Sequence, residues 1–154
     1  MNVVICGPPG TGKTTTTTEL GRRLEKDGTP VRNYHSDDFS RRTYDRLYEQ
    51  VRNAPDEGFC LIDGTFYRRE WHTLFRTLEP VRFVRLTASL ETCLERNRHR
   101  DDAIDEQGVQ VVYREFEPPE ADLVIDTDER TPRETVDRIT SRLRIWQESP
   151  RLAP

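Results

Sequence analysis

Two features of this 154-residue chain predict a three-layer α/β sandwich, with a five-stranded parallel sheet between two layers of helices. Short apolar runs alternate with longer polar or amphipathic stretches, the order that builds a parallel sheet covered on both faces. The segments richest in chemistry, Gly7–Thr14, Ser36–Arg42 and Asp63–Arg69, each follow the end of such a run. In parallel sheets, ligands bind beyond the carboxyl ends of the strands. Pattern alone therefore predicts one site at one edge.

The elements follow in order. Asn2-Val3-Val4-Ile5-Cys6 is apolar, β-branched and stopped by Gly7, as a buried parallel strand requires. A helix is expected from Lys13 to Lys26, with Leu20 and Leu24 one turn apart and Gly28 beyond its end. Val31–Ser36 is the second strand, and Phe39–Asn53 a polar helix closed by Pro55 and Gly58. Phe59-Cys60-Leu61-Ile62-Asp63 is the third strand, Arg68–Leu78 a helix, and Val81–Thr87 the fourth strand. Leu90, Cys93 and Leu94 give the next helix its inner face, Asp105–Phe116 forms a weaker one, and Asp122–Asp126 is the fifth strand.

Thr131, Pro132 and Glu134 then occupy the N-cap, N1 and N3 places of a capping box. Val136, Ile139, Leu143 and Trp146 recur at three- and four-residue steps and form one stripe for packing on the sheet. One domain is expected over 1–149, with a lid at about 96–105 and a loose tail at 150–154. No internal repeat or low-complexity linker interrupts it.

Composition narrows the function classes. A net charge of −4 argues against a protein that coats nucleic acid, and no run of apolar residues reaches the length of a membrane span. Cys6, Cys60 and Cys93 share no metal-ligand spacing and are expected as buried small hydrophobes in a reduced, cytoplasmic protein. His35, His72 and His99 are equally scattered, which argues against zinc. The basic residues are arginines apart from Lys13 and Lys26, which makes the position of Lys13 conspicuous.

That lysine lies in Gly7-Pro8-Pro9-Gly10-Thr11-Gly12-Lys13-Thr14, which matches G-x-x-x-x-G-K-[ST] throughout. The glycines let backbone N–H groups curl around phosphate oxygens, and the following helix turns its positive end toward them. This is the phosphate loop of a P-loop NTPase. Residues 7–15, through Thr15, are expected to hold ATP, with Lys13 on the β- and γ-phosphates and the Thr14 hydroxyl on Mg²⁺. Asp63 ends the third strand after four apolar residues, where a carboxylate serves the same magnesium. That role requires its strand to neighbour the first, which predicts the sheet order 2-3-1-4-5.

A GTPase would need an Asn-Lys-x-Asp guanine reader, and neither lysine lies in one. A phosphotransferase or a nucleotide-gated binding module remains. Two clusters favour transfer. His35-Ser36-Asp37-Asp38-Phe39-Ser40-Arg41-Arg42 follows the second strand, where a carboxylate can take the proton of an acceptor hydroxyl and an arginine can hold acceptor charge. Asp37 is assigned that base role, and Asp38 a helix cap or support for the magnesium shell. Arg96 and Arg100, four residues apart, share a face if their helix persists and could close over the transferring phosphoryl group. Tyr67 is a candidate for the acceptor or adenine pocket.

Gly7–Thr14, Ser36-Asp37, Asp63-Gly64-Thr65-Phe66-Tyr67, the run Ala88–Asn97 with Arg100, Glu115-Phe116-Glu117-Pro118-Pro119 and Val124-Ile125-Asp126-Thr127 resemble, in order and spacing, the O-phosphoseryl-tRNA(Sec) kinase group of P-loop kinases. The resemblance implies Asp37 as catalytic base, aided by Arg41, with Arg96 and Arg100 as lid arginines. Ser40 stands where that group usually has an arginine, with Arg41 one place later. The chain ends without the C-terminal extension that tRNA-directed members use, so a small or nucleoside-type acceptor is expected ahead of tRNA. Glu117-Pro118-Pro119 and the strand after it are also similar to adenylyl-sulfate kinase, although no Lys-Gly-Leu-Tyr segment follows Arg96. Polynucleotide 5′-kinases share the Asp37-Asp38-Phe39 feature. The expectation is an ATP- and Mg²⁺-dependent kinase acting on a hydroxyl, as monomer or homodimer. The alternative of another class is a regulatory ATP-binding module.

Overall fold

The computed structural model describes residues 1–36, 42–101 and 103–148. Five parallel strands, β1 (Asn2–Cys6), β2 (Val31–His35), β3 (Phe59–Gly64), β4 (Val81–Thr87) and β5 (Leu123–Asp126), form one sheet in the order β2-β3-β1-β4-β5. Helices α1 (Lys13–Lys26), α2 (Thr43–Arg52), α3 (Arg69–Phe75), α4 (Leu90–Arg98), α5 (Glu106–Glu115) and α6 (Pro132–Glu148) connect and cover it. The expected strand order is observed. Among the described residues, no helix is long and apolar enough to cross a membrane.

Two apolar layers follow from the two-residue period of the strands. On one face Val3, Ile5, Leu61, Val84, Leu86 and Ile125 pack against Leu20 and Leu24 of α1 and against Val136, Ile139, Leu143 and Trp146 of α6. On the other, Val4, Cys6, Ile62 and Phe83 pack against Tyr44, Leu47 and Val51 of α2 and Phe75 of α3. Truncating a fully buried aromatic such as Phe83 to alanine would cost about 3–5 kcal/mol. The capping box of α6 is formed as the sequence predicts. Glu134 N–H donates to Thr131 Oγ1 at 3.1 Å, and Thr131 N–H donates to Glu134 Oε1 at 3.0 Å.

One helix boundary differs from expectation, and the structure sets a second that the sequence leaves open. The second helix begins at Thr43, not Phe39, because Arg42 takes a left-handed backbone (φ 47°, ψ 41°) that cannot belong to a right-handed helix. The fourth helix ends at Arg98, so Arg100 lies past its end and shares no helical face with Arg96. Asn97, 3% exposed, stops it there. Its amide donates to the Ile104 carbonyl at 2.7 Å and accepts from the Ile104 N–H at 3.1 Å. Arg98 Nε donates to Glu106 Oε1 at 2.5 Å, so the ends of the expected lid are clasped twice.

Candidate active site

The segment Gly7–Gly12 joins the end of β1 to the start of α1, and its path is fixed from behind. Gly10 has φ +87°, and a Cβ there would stand 2.6 Å from the Cys93 carbonyl oxygen of α4. Only glycine fits. Arg96 Nη1 donates to the Gly10 carbonyl at 3.2 Å and to Thr127 Oγ1 at 3.0 Å, while Nη2 donates to the Thr127 carbonyl at 2.8 Å. The Thr127 hydroxyl lies within donating distance of the Thr11 carbonyl, 2.9 Å away. Both loop carbonyls are thus held toward α4 and the end of β5. At Gly12, by contrast, a Cβ would meet nothing within 4 Å.

Lys13 opens α1 and donates to the Pro8 carbonyl at 2.9 Å, so its ammonium group folds back over the loop. Thr11, fully buried, donates to the same oxygen at 2.8 Å. Thr14 is exposed on the first turn of α1. Thr15 opens onto a groove of about 570 Å³, lined also by Glu19, Arg23, Thr131, Pro132 and Arg133. Cys6, just before the loop, is fully buried, which pushes its thiol up to about 12 and keeps it protonated. All three cysteines are buried and free.

Asp63 lies level with Ile5 on β1 and His35 on β2. Its carboxylate, 4% exposed, accepts a 2.5 Å hydrogen bond from His35 Nδ1. Beyond it, Phe66 takes a left-handed backbone (φ 50°), unusual for an aromatic residue. Three contacts hold that turn: Phe66 N–H donates to the Tyr44 hydroxyl at 2.9 Å, Phe66 O accepts from His72 Nε2, and the Tyr67 carbonyl accepts from Glu117 N–H at 3.0 Å. Tyr67 is half-buried, edge-on to Trp71 and beneath the Arg68 guanidinium at 5.3 Å.

A phosphate-loop turn between the first strand and first helix, with an acid on the neighbouring strand, narrows the comparison to P-loop proteins. Residues 3–144 match the AAA_33 family, described as an AAA domain. The chain belongs to this family. No curated protein matches it. Among solved structures, the chain is similar to APE1195, at 24% identity over 94% of this chain and 95% of that one, with a TM-score of 0.78. It is similar to the Mycobacterium tuberculosis APS kinase CysC in complex with AMPPNP and APS (18% identity, 93% and 96% covered, TM-score 0.77). It is also similar to Chaetomium thermophilum Kti12 in complex with ADP-AlF3 (16% identity, 92% and 98% covered, TM-score 0.72). The AAA_33 chain therefore has a P-loop kinase-like fold.

The expected nucleotide residues, 7–15, come together as one loop and helix start, with Asp63 on the adjoining strand. Asp37, Asp38 and Arg41 lie outside the described residues. The donors at this end of the sheet suit a hard divalent cation. A hydroxyl on Thr14 and a carboxylate on Asp63 are hard oxygen donors, and Mg²⁺ is ordinarily held by one or two such groups plus substrate phosphates. Arg96 is found behind the phosphate loop, bonded to its carbonyls, rather than over the site, while Arg100 is exposed beyond α4. Thr127 and His35 were not singled out by sequence reasoning as site residues. Both act through partners far away in the chain, so no local spacing marks them.

Proposed function

We propose that this AAA_33 chain is an ATP- and Mg²⁺-dependent phosphotransferase that moves the γ-phosphoryl group to a hydroxyl of a small or nucleoside-type acceptor. The observation that supports it best is the register of Ile5 with Asp63, which sets a carboxylate beside the mouth of the phosphate loop. Loop amides and the N-terminus of α1 would bind the phosphates, and Lys13 would leave Pro8 to neutralise charge developing on the β–γ bridge. Thr14 and Asp63 would hold the cation, whose chemistry is to screen the phosphate oxygens. Asp37 would accept the acceptor's hydroxyl proton as that oxygen bonds to phosphorus and ADP leaves, with Arg41 beside it. The resemblance to O-phosphoseryl-tRNA(Sec) kinases supports these two roles.

Substituting Asp37→Asn tests the reading. A kinase loses turnover by orders of magnitude and keeps its ATP affinity. Unchanged slow ATP hydrolysis in the variant, with no transfer of labelled γ-phosphate by wild type into pooled metabolites, nucleosides and tRNA, would establish a regulatory ATP-binding module instead. A second reading, adenylyl-sulfate kinase, is favoured by the likeness to the APS kinase fold together with the Glu117-Pro118-Pro119 tract. Transfer to adenylyl sulfate in the same assay decides it.

A further inference from the structure

β4 and the turn after α3 carry three partly or wholly buried arginines, and two of them are satisfied. Arg82 pairs with Asp122 at 3.5 Å and lies 5.3 Å from the Trp146 ring. Arg76 lies 4.4 Å from the Phe83 ring and donates to the Glu120 carbonyl. Arg85 is different. Its Nε is buried and has no hydrogen-bond partner, and no ion pair among the described residues involves it. A charged N–H removed from water and left unmatched carries its whole desolvation cost, so arginines in sheet interiors are ordinarily paired.

The position of Arg85 gives that orphan a use. Arg85 is in register with Cys6, the last residue of β1 before the phosphate loop. Strand alternation puts it on the face of Val81, Phe83 and Cys6, which α2 and α3 cover. Phe66, at the turn after β3, packs on that same face. Asp63 and α1, the expected cation and nucleotide elements, belong to the opposite face, with Ile5, Leu20 and Leu24. An anion reaching Arg85 therefore approaches from the face that α2 and α3 cover, not from the face of Asp63 and α1.

We propose that Arg85 binds an oxyanion of the phosphate acceptor, so that the substrate is an alcohol that also carries a carboxylate or phosphate group. The inference rests on the phosphotransferase reading and narrows its substrate class. Guanidinium suits it, because a planar fork matches carboxylate and phosphate oxygens where an ammonium group does not.

The test loads wild type, Arg85→Met and Arg85→Lys with AMPPNP and Mg²⁺, then titrates each with inorganic phosphate by calorimetry. Wild type is expected to bind phosphate beside the nucleotide, and Arg85→Met to bind it at least about tenfold more weakly. Arg85→Lys should fall between them. AMPPNP affinity should be equal in all three, and Arg85→Met should melt at the same or a higher temperature, since no internal partner is lost. Equal phosphate binding by Arg85→Met, or none by loaded wild type, overturns the inference. So does a loss of AMPPNP affinity in Arg85→Met, which would assign the guanidinium to the nucleotide's own phosphates. A melting temperature lowered in both variants would assign it a structural partner and overturn it too. Failure of wild type to bind AMPPNP removes the phosphotransferase reading itself, and this inference with it.

Discussion

His35 and Asp63 stand side by side on β2 and β3, joined by a 2.5 Å hydrogen bond between Nδ1 and Oδ2. A carboxylate accepts, so Nδ1 carries the hydrogen and Asp63 is held in one rotamer. Partners of this kind orient the groups that hold a cation, and their loss commonly costs roughly 10- to 100-fold in affinity or activity. His35→Ala should therefore raise by about that factor the Mg²⁺ needed for half-maximal turnover. His35→Asn, whose amide nitrogen can occupy the place of Nδ1, should recover most of it. Mn²⁺ binding to the AMPPNP complex, followed by electron paramagnetic resonance, reads the same effect without turnover. Equal affinities in wild type and His35→Ala would detach this bond from the cation.

Gly10 and Gly12 separate crowding from backbone strain. A Cβ at Gly10 meets the Cys93 carbonyl oxygen at 2.6 Å and its Cα at 2.8 Å, both backbone atoms of α4. Gly10→Ala must push that helix away and should lose nucleotide binding along with about 1–3 kcal/mol of stability. Gly12→Ala meets nothing within 4 Å and bears only its left-handed φ of +93°, about 1–2 kcal/mol. Denaturant midpoints with nucleotide titrations distinguish them. The same nucleotide affinity in both variants would mean α4 yields freely.

Arg96 and Arg100 should behave as different kinds of residue. Removing the Arg96 side chain strips donors from the Gly10 carbonyl and from both oxygens of Thr127. Arg96→Ala should lower stability by about 1.5–3 kcal/mol, the range for a hydrogen bond to a charged group, and weaken nucleotide binding as well. Thr127→Val should weaken nucleotide binding in the same way through the Thr11 carbonyl. Arg100→Ala should lower kcat more than it raises KM, as a contact made near the transition state does. The reverse assignment would follow if Arg96→Ala altered only kcat.

How much of this was legible depends on whether the cause is local. Apolar runs mark the strands, the Thr131–Glu134 box marks the start of α6, and the glycines with Lys13 mark the loop, because each signal acts within a few residues. The strand order followed from the chemical demand that Asp63 sit beside β1, and the register meets it. The start of α2 was missed because Arg42 bears no side-chain signal for a left-handed turn. Where α4 ends is not legible locally, because Asn97 bonds Ile104 in a loop whose path no short-range pattern gives. Arg96 reads in sequence as a lid arginine. Its function comes from Thr127 and Gly10, brought to it by two crossovers of the sheet.

His72 supplies the pH dependence. Burial lowers its pKa, and the ring stays neutral with Nε2 directed at the Phe66 carbonyl. The unfolded chain, with an ordinary imidazole near about 6.5, then takes up a proton at a higher pH than the folded one. Stability therefore rises with pH wherever the unfolded state binds more protons. The contribution is complete above the unfolded value, is lost as pH falls from there toward the lowered folded value, and does not change further below it. His72→Gln retains a donor for the Phe66 carbonyl and cannot titrate, while His35 and His99 remain in both proteins. Melting temperatures from pH 7.5 down to 5, about 1.5 units on either side of the unfolded value or less, should fall more steeply for wild type than for His72→Gln. Parallel curves would mean that the folded protein accommodates a protonated His72 as readily as the unfolded chain does.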